Sequence, residues 1–226
     1  MPKQALIFFN RWLNAPFSIG AIAPSSRHLA RRMAELAPRR PSLPVLELGG
    51  GTGVVTDALL EVVGADRLIV VERDPTLHRF LAERYPHVRI LKGDAMHLSR
   101  LLAEHGVKKV AAIVSGLPLL AMPKPVQAAI VKESVAVLGE GAPLIQFTYG
   151  LFSPVPRDAH GLEGRRIGRV YRNLPPASIW LYRRRPGLSS LTPIDGMGKC
   201  GPFNRESAPA DPWPRKLAQA RRRSRA

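Results

Sequence analysis

Three consecutive glycines behind an apolar strand, and a fourth after one threonine, constrain this chain more than any other feature: VLELGGGTGVVT, residues 45–56. Glycine has no Cβ, so a run of glycines lets a ligand approach main-chain N–H groups directly. Such a loop needs a strand before it and a helix after it. Both are legible: VLEL (45–48) reads as a strand and residues 52–63 read as a helix. The alternation continues along the chain. Strand-like runs lie at 68–72, 88–91, 110–115 and 143–149, and helix-like runs at 76–85, 98–104 and 124–138. Strands alternating with helices argue a parallel sheet wrapped by helices. RRIGRVYRNL (165–174) and ASIWLYRR (177–184) flank a Pro-Pro-Ala turn and read as an antiparallel pair at the sheet edge. The expected fold is α/β, a mostly parallel seven-stranded sheet with helices on both faces and an antiparallel edge hairpin.

The loop's spacing narrows the ligand. Its pattern is Glu47-x-Gly49-x-Gly51-x-Gly53, whereas a dinucleotide fingerprint needs G-x-G-x-x-G and has no valine in the last place. A triphosphate cradle needs Gly-Lys-Ser/Thr, and the loop has no lysine. Glu47 inside an apolar strand is costly unless it meets a partner, and an amine-bearing ligand supplies one. Glu72 closes the second strand, where an acid suits a ribose diol. Asp94 follows the third strand, within reach of an adenine amino group. Three acids at three successive strand ends, beside a glycine loop, describe a pocket for a cationic adenosine compound, S-adenosylmethionine.

Composition bounds the rest. Lys+Arg number 34 against 17 Asp+Glu, a formal charge of +17 that predicts an anionic partner, nucleic acid or an acidic membrane surface. One cysteine forbids an intrachain disulfide, and the six histidines show no ligand spacing, so no metal site is expected. Neither a secretory leader nor an apolar run of membrane-spanning length is evident. Residues 1–14 read as a short helix with Ala5, Phe8, Phe9, Trp12 and Leu13 on one face, suited to packing on the domain or to lying in a lipid interface. A second helix is expected over residues 26–38, capped by Ser25 or Ser26. From residue 184 onward six prolines and few large apolar residues predict a disordered basic tail. Three parts follow: a cofactor-covering segment with the amphipathic helix (1–40), the catalytic domain (41–183) and the tail (184–226).

The E-x-G-x-G-x-G loop with its later Glu and Asp resembles the class I S-adenosylmethionine-dependent methyltransferases. More narrowly, GAIAPSS, LELGGGTGVVT, SGLPLL, QFTYG and NLPPAS together resemble the bacterial phospholipid N-methyltransferases, the branch similar to rRNA adenine dimethylases. The usual loop of that family has Pro where Gly50 stands. The resemblance implies a Rossmann-like fold and a cofactor site at Ile22, Ser25, Glu47, Gly49, Gly51, Gly53, Glu72, Arg73, Asp94, Ala95, Ser115, Gly116 and Leu117. It implies catalytic roles for Ser115 and Tyr149, and lipid contacts from Tyr149, Arg169 and Arg172. The rRNA dimethylases carry Asn-Leu/Ile-Pro-Tyr/Phe in the place of SGLPLL, an amide for the target amine and an aromatic that stacks on a flipped base. Here Ser115 and Leu119 stand where those groups are needed.

The function expected from this is methyl transfer from S-adenosylmethionine to the amine of phosphatidylethanolamine and its methylated forms, towards phosphatidylcholine. The expected partner is an anionic membrane surface, with the protein peripheral on the inner face of the cytoplasmic membrane and no metal. An rRNA adenine-N6 methyltransferase is the first alternative. A non-catalytic basic protein binding membrane or RNA on the same fold is the second.

Overall fold

The computed structural model describes residues 24–39, 41–150, 152–155, 161–171, 173 and 175–185, all within one compact unit ending at Arg185. The helix expected over 1–14, Ile22, Arg172 and the expected tail beyond Arg185 lie outside the described residues.

Helix α1 (Pro24–Ala34) leads into the first βα unit. It begins one to two residues before the expected serine cap, because proline is pre-set for the first helical position, so Ser25 sits inside the helix. Then follow β1 (Val45–Leu48), α2 (Val54–Val63), β2 (Leu68–Glu72), α3 (Pro75–Arg84), β3 (Arg89–Lys92), α4 (Leu98–Glu104), β4 (Ala112–Ser115), α5 (Lys124–Val137), β5 (Leu144–Thr148), β6 (Leu162–Val170) and β7 (Ala177–Arg184). β1, β2 and β4 are buried along their whole length, which is why they read as continuous apolar runs rather than alternating ones.

The seven strands form one sheet in the order β3-β2-β1-β4-β5-β7-β6. β3, β2, β1, β4 and β5 run parallel, while β7 runs antiparallel between β5 and β6. The strand order therefore reverses at β1, and the crevice beyond the carboxyl ends of β1 and β4 is where such sheets bind ligands. The expected edge hairpin is present, but β6 starts at Leu162, three residues before the run read from sequence, and stops at Val170. The expected strand at 110–115 contracts to Ala112–Ser115, with Val110 held only by a single bridge to Leu138.

Cross-strand partners share a face of the sheet. One face carries Leu46, Leu48, Ile113, Leu144, Trp180 and Tyr182, which pack with Leu98 and Leu102 of α4 and Ile130 and Val131 of α5 in a single apolar cluster. α1 and α2 pack against each other, and α2 also meets β1 and β2.

Candidate active site

The glycine loop is shaped by backbone conformation and by one carboxylate. Gly51 (φ 55°) and Gly53 (φ 85°) occupy the left-handed region, which side chains with a Cβ rarely enter. Gly53 then starts α2 without a side-chain cap. The N–H of Gly51 donates to Glu72 Oε2 at 3.0 Å, and that of Asp74 donates to Glu72 Oε1 at 2.9 Å. Glu72 thus does structural work in the loop as well as standing at the end of β2 where a ribose is expected. Each of its oxygens keeps a lone pair for a hydroxyl donor. A Cβ built on Gly51 meets nothing within 4 Å, so the loop faces open space there. A Cβ on Gly53 would instead run into the Tyr85 ring. Tyr85 Oη lies 3.0 Å from the Gly53 carbonyl and 2.6 Å from Asp57 Oδ1, and this buried phenol holds the loop against α2. No sequence pattern pointed to Tyr85.

Glu47 is wholly buried. Its Oε2 accepts from Thr56 Oγ1 at 2.7 Å, so the partner expected from a ligand is, for this oxygen, a residue of α2. Its Oε1 has no partner among the described residues. Burial pushes the carboxyl up to about 8; the Thr56 bond pulls it down, and the negative charges of Glu72 and Asp57 add to the rise. An uncompensated buried oxygen fits a site completed by a cation. Asp94 caps the turn Ala95–His97 by accepting from Met96 N at 2.9 Å, and its Oδ2 lies 3.4 Å from Arg73 Nη1. Its side chain remains 32% exposed, which leaves it accessible to an amino group. Arg73 is itself mostly exposed and Ala95 is buried.

At the β4 end, Gly116 N donates to Leu48 O at 2.8 Å, and a Cβ on Gly116 would come 2.9 Å from the Gly49 carbonyl. The loop and the segment after β4 therefore touch backbone to backbone. Counted back from Pro118, it is Gly116 rather than Ser115 that takes the place of the dimethylase Asn, and this contact leaves no room for a side chain there. Ser115 is buried with its Oγ accepting from Leu117 N at 3.3 Å, so it shapes the turn. Leu119 is buried and offers no stacking platform. Leu117 packs partly buried against the core.

Tyr149 follows β5 and meets Phe147 edge to face at 5.4 Å. Burial raises its phenol, and a hydrogen bond from buried Asn173 partly offsets the rise. QFTYG and NLPPAS, 24 residues apart from Tyr149 to Asn173, thus meet in space. Gln146, passed over in the sequence, is fully buried beside this edge and donates from Nε2 to the carbonyls of Leu117 (2.8 Å) and Phe147 (2.9 Å). Arg169 lies on β6 with its guanidinium 5.8 Å from the Tyr171 ring. A separate open cleft of about 590 Å³ between α1 and α2, lined by Arg27, His28, Arg31, Val54, Asp57, Ala58 and Glu61, includes none of the loop glycines. Among the described residues no cluster of His, Cys, Asp and Glu could hold a metal, and no helix is long and apolar enough to cross a membrane.

Comparison with known proteins bears directly on this geometry. Residues 25–119, from α1 to just past β4, match the family described as ribosomal RNA adenine dimethylase. Over 190 residues the chain is 30% identical to an ornithine lipid N-methyltransferase of Singulisphaera acidiphila, covering 80% of this chain and 96% of that one. The chain belongs to the family of that enzyme. It is an S-adenosylmethionine-dependent methyltransferase with a class I fold. A ribosomal RNA small subunit methyltransferase A of Chlorobium chlorochromatii is 32% identical over only 75 residues, 33% of this methyltransferase and 28% of that enzyme. The fold is also that of the Burkholderia thailandensis 1,6-didemethyltoxoflavin-N1-methyltransferase, solved with S-adenosylhomocysteine, at a TM-score of 0.59 and 14% identity over 81% of this chain and 89% of that one.

Proposed function

We propose that this methyltransferase acts on the amine of a membrane-lipid head group, phosphatidylethanolamine and its partly methylated forms, at an anionic membrane surface. The observation that carries the reading is the reach of the lipid-enzyme alignment. At 80% of the chain it must run through β4, β5 and β6, whereas the dimethylase family model stops at residue 119. The strands beyond β4, where an acceptor would sit, are therefore matched by the lipid enzyme and lie outside the dimethylase family model. The buried Leu119 in the place of a base-stacking aromatic and the bare Gly116 in the place of the dimethylase Asn argue the same way. The charge of +17 suits an anionic leaflet, which attracts each nearby Lys or Arg by about 1 kcal/mol.

S-adenosylmethionine supplies an electrophilic methyl on a sulfonium. The cofactor would lie across the glycine loop, with Glu72 at its ribose, Asp94 near its adenine and Glu47 beneath its cationic end. The acceptor amine attacks in line as a free base, since an ammonium has no lone pair; the carbon–sulfur bond breaks and the amine proton leaves to water. The described residues around the β4 and β5 ends include no histidine or carboxylate poised as a base, so their contribution is to orient and desolvate the amine. The Leu117 carbonyl in the turn after β4, held by Gln146 Nε2, and the Tyr149 hydroxyl are the polar groups that would serve this.

The matched dimethylase model favours one other reading, transfer to an adenine of RNA. Incubation with methyl-labelled donor and either phosphatidylethanolamine vesicles or rRNA separates the two. Label in the lipid phase supports the proposal; label in RNA alone overturns it.

A further inference from the structure

β7 crosses the substrate side of the sheet between β5 and β6, and its register lines up two polar rows. Gln146 pairs with Trp180, and Trp180 with Arg166; Thr148 pairs with Ser178, and Ser178 with Arg169. A bulge between Arg166 and Gly168 inserts one extra residue into β6. Without it, positions 166 and 169 would point to opposite faces. With it, Arg169 joins Gln146 and Ser178 on one face, the kind of re-aiming that bulges perform beside active sites.

Four buried polar atoms in these rows have no hydrogen-bond partner among the described residues: Gln146 Oε1, Trp180 Nε1, Ser178 Oγ and Arg169 Nε. Buried polar atoms are almost always paired, so four neighbours left open call for an explanation. Their chemistry is ordered. Gln146, one strand from β4, offers an acceptor; its orientation is fixed because Nε2 faces two carbonyls. Farther out, Trp180 and Arg169 offer donors and Ser178 a hydroxyl. Arg169 lies two strand spacings across and one row along from Gln146, roughly 12 Å between backbones, and the long arginine arm shortens that gap.

Resting on the lipid-amine reading above, we propose that these two rows form a head-group clamp. Gln146 Oε1 accepts from the reacting amine, while Arg169 and Ser178 hold an acidic group a few bonds away on the same head group. The ligand class is a lipid amine that also bears a phosphate or carboxylate.

The test uses the full chain, labelled S-adenosylmethionine and neutral-detergent micelles, which remove attraction to a charged surface. Three acceptors are compared: phosphatidylethanolamine, an ornithine-headed lipid and a long-chain alkylamine with no acid. Arg169→Gln should raise KM on the order of 10- to 100-fold for the acid-bearing lipid, the worth of a charge-assisted contact. Its kcat, its KM for the alkylamine and its thermal shift with S-adenosylhomocysteine should stay near wild type. Ser178→Ala should act in the same direction more weakly. The acid-bearing lipid that suffers more identifies phosphate or carboxylate as the group held. Equal effects on all three acceptors, or none on any, overturn the clamp. Wild type labelling none of the three overturns the lipid-amine reading itself.

Discussion

Replacing Glu47 by Gln tests the electrostatics of the loop in the absence of any ligand. The carboxyl is wholly buried, with one oxygen on Thr56 and the other unpaired, and burial raises it from 4.5 to about 8. A folded-state value above the unfolded one means that Glu47 is neutral in the fold and that its contribution is intact below about pH 4.5. Above that the unfolded chain ionises freely while the folded one resists, so stability falls until pH passes about 8. At about 1.4 kcal/mol per pH unit, the wild type loses roughly 3 kcal/mol between pH 5.5 and 8 from this group. For a domain of this size that is roughly 6–12 °C in Tm. Glutamine keeps the shape and an acceptor for Thr56 but cannot ionise. Thermal melts of both proteins across pH 5.5–8 should therefore diverge, the variant gaining on wild type by that amount as pH rises. Parallel curves would refute the reasoning, because they would mean that Glu47 ionises in the fold as easily as in water. Titration with S-adenosylhomocysteine should show the same variant binding far more weakly, since an amide cannot ionise to meet the ligand's ammonium.

Gly51→Ala and Gly53→Ala should separate binding from folding. The first meets open space, so stability should drop by only the ~1–2 kcal/mol of a left-handed alanine while calorimetric affinity for S-adenosylhomocysteine collapses; the second strikes Tyr85 and should lower stability clearly further. Tyr85→Phe removes the phenol that joins Gly53 O and Asp57, and chemical denaturation should show a loss of about 1–2 kcal/mol with a modest fall in cofactor affinity. Glu72→Ala strands the N–H groups of Gly51 and Asp74, and affinity for S-adenosylhomocysteine should fall at least ~10-fold in the same titration.

Much of the fold was legible because its central strands are short, fully buried and punctuated by glycine. VLEL and LIVVE come out with the same ends in sequence and structure. Boundaries slipped at two element starts: Pro24 starts α1 ahead of the serines, and β6 begins at Leu162, ahead of the arginine-rich run. The loop and its acids were readable from spacing alone. Their partners were not. Thr56 claims one oxygen of Glu47, and Glu72 spends its carboxylate on two main-chain donors; both facts depend on how α2 and the loop pack. Tyr85 and Gln146 escaped for the same reason. Each is an ordinary residue in a helix end or strand, and only the register that sets Gln146 beside Ser115 and the turn after β4 gives it something to hold.

The placement of β7 has a consequence for how the enzyme is made. β5 lies between β4, already synthesised, and β7, which begins 29 residues after β5 ends. While the chain is still emerging from the ribosome, the cofactor half can assemble, but one side of β5 stays an open edge with unpaired main-chain groups. The head-group rows proposed above would be incomplete in a nascent chain halted before residue 177, which has the glycine loop and its three acids but lacks Ser178 and Trp180.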